Sequence, residues 1–217
     1  MSGSAVSGHW GVYLDAIREH SHQLLAWAYA DIRSRINADT QEPAITGLLC
    51  EAMKRRINDA GTPDIYAHYA IGDQEPVSPA GELGNDRLRL DIHVLRTAIR
   101  PHLGYVFEAK RLRTGGYPIS KYTGDGGMGD FLGCRYATGC PEGAMVGFYQ
   151  DKDAAYWFRE LQRSFANDAA VQHPKLAIRT GLSRRVLINA MPNSYCSEHG
   201  RTDGNAIVLF HVFLDAC

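Results

Sequence analysis

At 217 residues with 45% hydrophobic side chains, the chain has the size to enclose a substantial core as one domain. A formal net charge of -1 excludes a uniformly basic nucleic-acid binder, while leaving room for cations gathered on one face. There is no basic-then-apolar leader and no apolar run of about eighteen residues, and the five irregularly spaced cysteines are not the framework of a small disulfide-stapled domain, so a cytoplasmic protein with reduced thiols is expected.

Over 9–36, Trp10, Tyr13, Ile17, Leu24, Trp27, Ala28 and Ile32 recur at roughly helical spacing, which predicts one long amphipathic helix or two short ones. A second helix is expected from Thr40 or Gln41, with Pro43 tolerated in its first turn, through Ile45, Leu48, Leu49, Met53 and Ile57 to a stop at Gly61. Residues 64–71 have strand character, and 72–86, rich in Gly, Pro, Glu and Asp, read as an exposed loop. The stretch RLRLDIHV then alternates: Leu88, Leu90, Ile92 and Val94 face one way, Arg87, Arg89, Asp91 and His93 the other. In HLGYVFEAK, Leu103, Tyr105, Phe107 and Ala109 share one face of a second strand while Glu108 and Lys110 share the opposite one. A Gly-rich basic segment over 111–127 follows, then a short helix over 128–137 carrying Met128, Phe131 and Tyr136. A strand over 144–149, a helix over 151–166 and strands over 185–190 and 206–214 complete the chain, the last with the partial alternation of an interior strand. The expected architecture is an α/β domain with a central mixed sheet flanked by helices, comprising an N-terminal helical segment (9–36), a core (42–149) and a C-terminal helix with strands (151–217).

The chemistry concentrates at Asp91, Glu108 and Lys110. On a strand, residues two apart have Cα atoms roughly 6.6 Å from one another with side chains on one face, so a metal held by Glu108 can lie beside the Lys110 ammonium. Asp91 from a neighbouring strand completes a hard-oxygen set suited to Mg²⁺ or Mn²⁺, which leave positions for water and phosphate oxygens. Phosphodiester hydrolysis needs a deprotonated water, neutralised charge at phosphorus and a stabilised leaving oxygen, and a divalent ion serves all three. Lys110 either prepares the attacking water or neutralises charge on the phosphate.

Asp91, a sixteen-residue interval and then Glu108-Ala109-Lys110 resemble the signature of the PD-(D/E)xK nuclease superfamily, with Leu90 in place of the proline. The resemblance covers about 42–149 in helix, hairpin, strand order, and it implies a restriction-endonuclease-like fold and a Mg²⁺- or Mn²⁺-dependent endonuclease acting on DNA. It also implies a carboxylate from the first core helix: Glu42, which opens the apolar run at Ile45, is preferred to Glu51, the alternative being that Glu42 only complements the helix dipole. The stretches VFEAKRL and GMGDFLGCRYA…GAMVGFY resemble a group of small bacterial nucleases found beside phage-defence genes, although Gly129 and Asp130 stand where more basic character is expected.

Around this centre, Arg111, Arg113, Lys121 and Arg135 form either a phosphate-binding groove or a solvated basic surface, with Tyr117 and Tyr122 available to stack on a base. Ser197, His199 and Arg201 alternate, so a strand there sets all three on one face, near the scissile phosphate or with the histidine in a structural hydrogen bond. His211, in LFHVFLD, reads as a core histidine. Of Cys134, Cys140, Cys196 and His199, only the last two have zinc-ligand spacing, and no G-K-S or G-K-T follows the glycines of 114–129, so neither a zinc site nor a P-loop is expected. Two rival readings stand beside the nuclease: a non-catalytic nucleic-acid-binding or scaffolding subunit, and a Mg²⁺-dependent hydrolase of small phosphate esters. A nuclease also needs restraint, so a regulatory protein partner or homo-oligomer is expected.

Overall fold

The computed structural model describes residues 6–76, 89–98, 100, 102–137 and 139–217, with side chains from residue 11 onward. The Trp10 side chain, Arg87, Leu88 and residues 77–86 of the expected loop therefore lie outside the described residues. Among those described, no helix is long and apolar enough to cross a membrane.

The N-terminal periodicity forms a single helix, α1 (Val6–Ile32), closed by a 3-10 turn at Arg33–Arg35. Helix α2 (Glu42–Ile57) starts with Glu42 and a proline in its first turn and ends on Lys54, Arg55 and Arg56, charges that complement the helix dipole at both ends. The expected strand over 64–71 is corrected: residues Asp64–His68 make a 3-10 turn, and strand β1 spans Tyr69–Pro76, into the expected loop. Strands β2 (Arg89–Arg96) and β3 (Leu103–Leu112) follow, then two short helices, α3 (Ile119–Thr123) and α4 (Met128–Leu132), strand β4 (Glu142–Tyr149) and helix α5 (Ala154–Ala169). Asp153 caps α5 by accepting a hydrogen bond from the Tyr156 N–H at 2.7 Å.

Three strands close the chain: β5 (Ile178–Arg184), β6 (Ser194–Gly200) and β7 (Ala206–Asp215). The expected strand over 185–190 is therefore absent. Its apolar residues Leu187 and Ile188 instead pack against the core from a turn closed by the Met191 N–H on the Ile188 carbonyl. The genuine edge strand, β5, presents only Ile178 and Leu182 half-buried and has an irregular register with β6, so it carries no alternating pattern.

Among the described residues, the seven strands join one mixed sheet in the order β1-β2-β3-β4-β7-β6-β5. The pairs β1–β2, β2–β3, β7–β6 and β6–β5 are antiparallel, whereas β3–β4 and β4–β7 are parallel. Parallel neighbours need crossovers, and the α3–α4 segment and α5 supply them. Each face of the sheet buries its own apolar cluster. One, against α1 and α2, gathers Ile17, Leu24, Leu49, Ile92, Tyr105, Phe107, Val146 and Val212, and the other, against α3, α4 and α5, gathers Val106, Leu112, Tyr122, Phe131, Met145, Trp157 and Leu209. This is a mixed α/β sheet covered on both faces, which explains why β4 and β7 are almost continuously apolar.

Candidate active site

The parity expected of β3 holds in the packing: Tyr105, Phe107 and Ala109 enter the first cluster, and Val106 and Leu112 flank Glu108 and Lys110 toward the second. The β2–β3 ladder has its last pair at Ile92 and Phe107. Beyond it the expected alternation on β2 breaks, and Leu90 packs in the second cluster although Ile92 and Val94 pack in the first. Asp91, at this departure point, accepts the Ala109 backbone N–H on Oδ2 at 2.8 Å and so reaches β3 through its side chain. Its Oδ1 accepts the Gln74 carboxamide N–H, also at 2.8 Å.

Lys110 donates from Nζ to Glu108 Oε1 at 2.6 Å and to Glu42 Oε1 at 3.3 Å. The other oxygen of Glu42, Oε2, accepts the Arg111 backbone N–H at 2.8 Å, fixing the start of α2 on the end of β3. The structure thus brings Glu42 to Lys110, whereas Glu51 points outward on α2 and is exposed. Exposure is graded across the cluster: Glu108 is 3% accessible and Asp91 9%, against 17% and 24% for the side chains of Lys110 and Glu42, so the site opens on the lysine side.

This burial controls the electrostatics. Desolvation and then the nearby negative charge of Asp91 push the Glu108 carboxyl well above the usual carboxylate range, against the pull of Lys110. Burial works against the Lys110 charge as well, but Glu108, Glu42 and Asp91 outweigh it and raise its pKa, so the lysine stays an ammonium. Glu108 Oε2 is buried and has no hydrogen-bond partner. A buried carboxylate oxygen facing other carboxylates and lacking a donor is the environment a hard cation relieves.

Two residues not expected in the site line its closed side. Asp130, buried in α4, forms an ion pair with Arg135 and leaves its own Oδ2 unpartnered. Tyr136 donates to the Arg89 carbonyl at 2.9 Å, tying the segment after α4 to the start of β2. Burial, followed by the charges of Glu108, Asp130 and Asp91, raises the pKa of its phenol, so all three carboxylates lie around this ring. Asp130 stood out in the sequence only as an acid in a segment expected to be basic; its burial by Phe131 and Tyr136 carries no sequence signature. Among the described residues, no three His, Cys, Asp or Glu side chains form a metal cage by themselves. An ion that takes two carboxylates and completes its shell with water and phosphate oxygens needs no such cage, and the donors here, all oxygen, fit Mg²⁺ or Mn²⁺ through Asp91 and Glu108.

The expected nucleic-acid contacts divide by exposure. Arg113 and Lys121 are at the surface, Arg113 within 3.6 Å of Asp39. The Arg111 guanidinium is buried 3.8 Å from the centre of the Tyr117 ring, which itself is exposed. Tyr122 and His199 are fully enclosed, so neither is available to a base or a phosphate in this structure. They belong to one buried hydrogen-bonded chain. His199 Nδ1 donates to the Leu176 carbonyl at 2.6 Å, which leaves Nε2 to accept from Ser197 Oγ at 2.7 Å. Ser197 in turn accepts from His211 Nε2 at 2.8 Å, and His211 Nδ1 accepts from the Tyr122 hydroxyl at 3.0 Å. Each group is satisfied with both rings neutral. Arg201 is likewise structural, donating to the carbonyls of Tyr136, Ala137 and Cys140. The residues weighed for zinc do not converge: Cys140 Sγ points at the Gly104 carbonyl and Cys196 Sγ at Ser183.

Compared with known proteins, the chain matches no family model, no curated protein and no solved structure, so the functional reading stands on the side chains themselves.

Proposed function

We propose that this chain is a metal-dependent endonuclease of the PD-(D/E)xK type, with a restriction-endonuclease-like core, that hydrolyses phosphodiester bonds in DNA. The observation that carries the reading is the convergence of Glu42 from α2, Asp91 from β2 and Glu108 with Lys110 from β3, with one buried Glu108 oxygen left without a donor. The order α2, the β1–β2 hairpin, then β3 bearing Glu-Ala-Lys supports the superfamily resemblance, as does the parallel pairing of β3 with β4. The preference for DNA, and a role in bacterial defence against phage, come from that resemblance alone.

Asp91 and Glu108 would hold Mg²⁺ or Mn²⁺, which when bound supplies charge neutralisation at phosphorus and an acidified water. Asp91 is oriented for this by two neutral N–H donors, from Gln74 and Ala109. Lys110, kept protonated by three carboxylates, serves as a donor that orients the nucleophilic water or neutralises the phosphate rather than as its base. Glu42 sets the lysine's direction through its own bond to the Arg111 N–H. Arg113 and Lys121, exposed beyond the end of β3, would contact backbone phosphates without reading sequence.

Cleavage of supercoiled plasmid, linear duplex, single-stranded DNA and RNA with Mg²⁺, Mn²⁺ or EDTA tests the reading, with Asp91→Ala and Lys110→Ala as controls. Metal-dependent cutting lost in both variants is expected; equal cutting by folded Lys110→Ala would overturn the assignment. The near-complete burial of Glu108 favours one second reading, a hydrolase of small phosphate esters, because a small ester reaches a buried carboxylate more readily than a duplex does. Mononucleotides in the substrate panel separate the two. A regulatory protein or a second copy of the chain remains part of the proposal, as the restraint on such an activity.

A further inference from the structure

Gln74 occupies a backbone conformation that its side chain does not favour. In the β1–β2 ladder, Asp73 pairs with Ile92 and Glu75 with Leu90, and between these pairs Gln74 adopts φ 50°, in the left-handed region that glycine occupies without strain. The chain holds this irregularity from several sides. The Gln74 carbonyl accepts from Arg89 Nη1 at 3.2 Å, Glu75 bonds His93 Nδ1 at 2.7 Å, and Gly72, having no Cβ, leaves the Glu75 side chain room to lie in this position. The outcome of this bracing is a single contact, the Gln74 Nε2–H on Asp91 Oδ1 at 2.8 Å. A carboxylate only accepts, so the amide nitrogen must be the atom facing it.

We infer that Gln74 is a positioning residue of the metal site, fixing the Asp91 carboxylate for a divalent cation. The inference rests on the nuclease reading and deepens it. Asp91 has about four lone-pair directions; Ala109 N–H takes one on Oδ2 and Gln74 takes one on Oδ1, which leaves each oxygen one direction for a cation. Without Gln74, the carboxylate keeps only the Ala109 anchor on Oδ2 and its rotation about the Cβ–Cγ bond is less restrained. A backbone strained to deliver an amide to a metal-binding carboxylate is the kind of outlier from which function is inferred. A glutamine that merely joined β1 to β2 would need no such conformation, since the ladder already pairs the strands on both sides.

The test is Mn²⁺ binding, measured by titration of the electron paramagnetic resonance signal of free Mn²⁺ with the whole chain, beside thermal unfolding in EDTA. Gln74→Gly removes both the amide and the backbone strain, so its unfolding temperature in EDTA should equal or exceed that of the wild type while its Mn²⁺ dissociation constant rises about tenfold, the size expected when an outer-shell partner is lost. Gln74→Asn, which tolerates the left-handed region but has too short an amide to reach, should weaken binding similarly; it provides the measurement if the glycine variant is poorly folded. Unchanged Mn²⁺ affinity in a folded variant overturns the role of Gln74 and leaves the nuclease reading standing. A wild type that binds no Mn²⁺ overturns both.

Discussion

His22 on α1 and His211 on β7 are buried on opposite faces of the sheet, and acid should unfold the protein through them. Desolvation lowers both pKa values from 6.5 to about 3, helped for His22 by the charge of Arg18 and for His211 by His199. A folded-state pKa below the unfolded one means that the unfolded chain binds the extra proton first. No stability is lost above the unfolded value, and stability then falls steadily until the folded pKa is reached, by about 1.4 kcal/mol per pH unit for each histidine. From pH 7.5 to 5.5 the pair removes about 2.7 kcal/mol, which for a chain of this length lowers Tm by roughly 5–10 °C. Glu108 acts in the opposite sense, because burial raises its pKa and acid relieves it, so the total curve is not diagnostic. The diagnostic quantity is the slope lost on replacing one ring. His22 touches the Tyr105 hydroxyl and the rings of Phe107 and Phe210, and its Nδ1 has no partner. His22→Gln should shift the urea midpoint at every pH and also reduce the slope of ΔG against pH, between about pH 6 and 4, by about 1.4 kcal/mol per unit. An offset with an unchanged slope would refute the reasoning, since it would mean that His22 titrates alike in both states.

Four further outcomes are expected. In thermal scans, Mg²⁺ at tenfold its dissociation constant should stabilise the wild type by about 1.4 kcal/mol, or roughly 3–6 °C, and should not shift Asp91→Asn or Glu108→Gln. Without metal, Glu108→Gln should be at least as stable as the wild type at pH 8, because a group whose folded pKa is raised loses stability as pH rises through that value and the amide does not; lower stability of the variant would contradict this. Lys110→Ala should retain its circular dichroism spectrum while metal-dependent cleavage falls about 10²–10⁴-fold, read from the decay of supercoiled plasmid, with Lys110→Arg failing to restore it because the fork cannot replace a point donor between Glu108 and Glu42. Arg201→Ala should cost about 2–4 kcal/mol in urea denaturation, since it strips donors from three backbone carbonyls; a change below about 1 kcal/mol would mean that water replaces the guanidinium there.

The legible parts of this chain are those where the two faces of an element differ. Glu108 and Lys110 were recognisable on β3 because Tyr105, Phe107 and Ala109 occupy the alternate positions, and Glu42 because it precedes the apolar run of α2. Strand β5 was illegible for the converse reason: an exposed edge imposes no alternation, while Leu187 and Ile188 mimic a strand from a turn. Tyr122 and His199 misled because polarity suggests a surface, and only the three-dimensional chain through Ser197 and His211 reveals that their polar atoms are satisfied inside. The remaining departures have another character. Leu90 leaves its expected face, Gln74 takes a conformation suited to glycine, and Glu108 is buried with an oxygen lacking a donor. In a sequence consistent with its fold, such conflicts are few and each costs stability. These three meet in one neighbourhood: Leu90 adjoins Asp91 on β2, Gln74 bonds Asp91, and Asp91 and Glu108 feel one another's charge, while comparable misfits such as the unpartnered Nδ1 of His22 and the left-handed Lys152 lie elsewhere. At this carboxylate pair the costs share one remedy under the proposed function, since a cation bound between Asp91 and Glu108 would offset them.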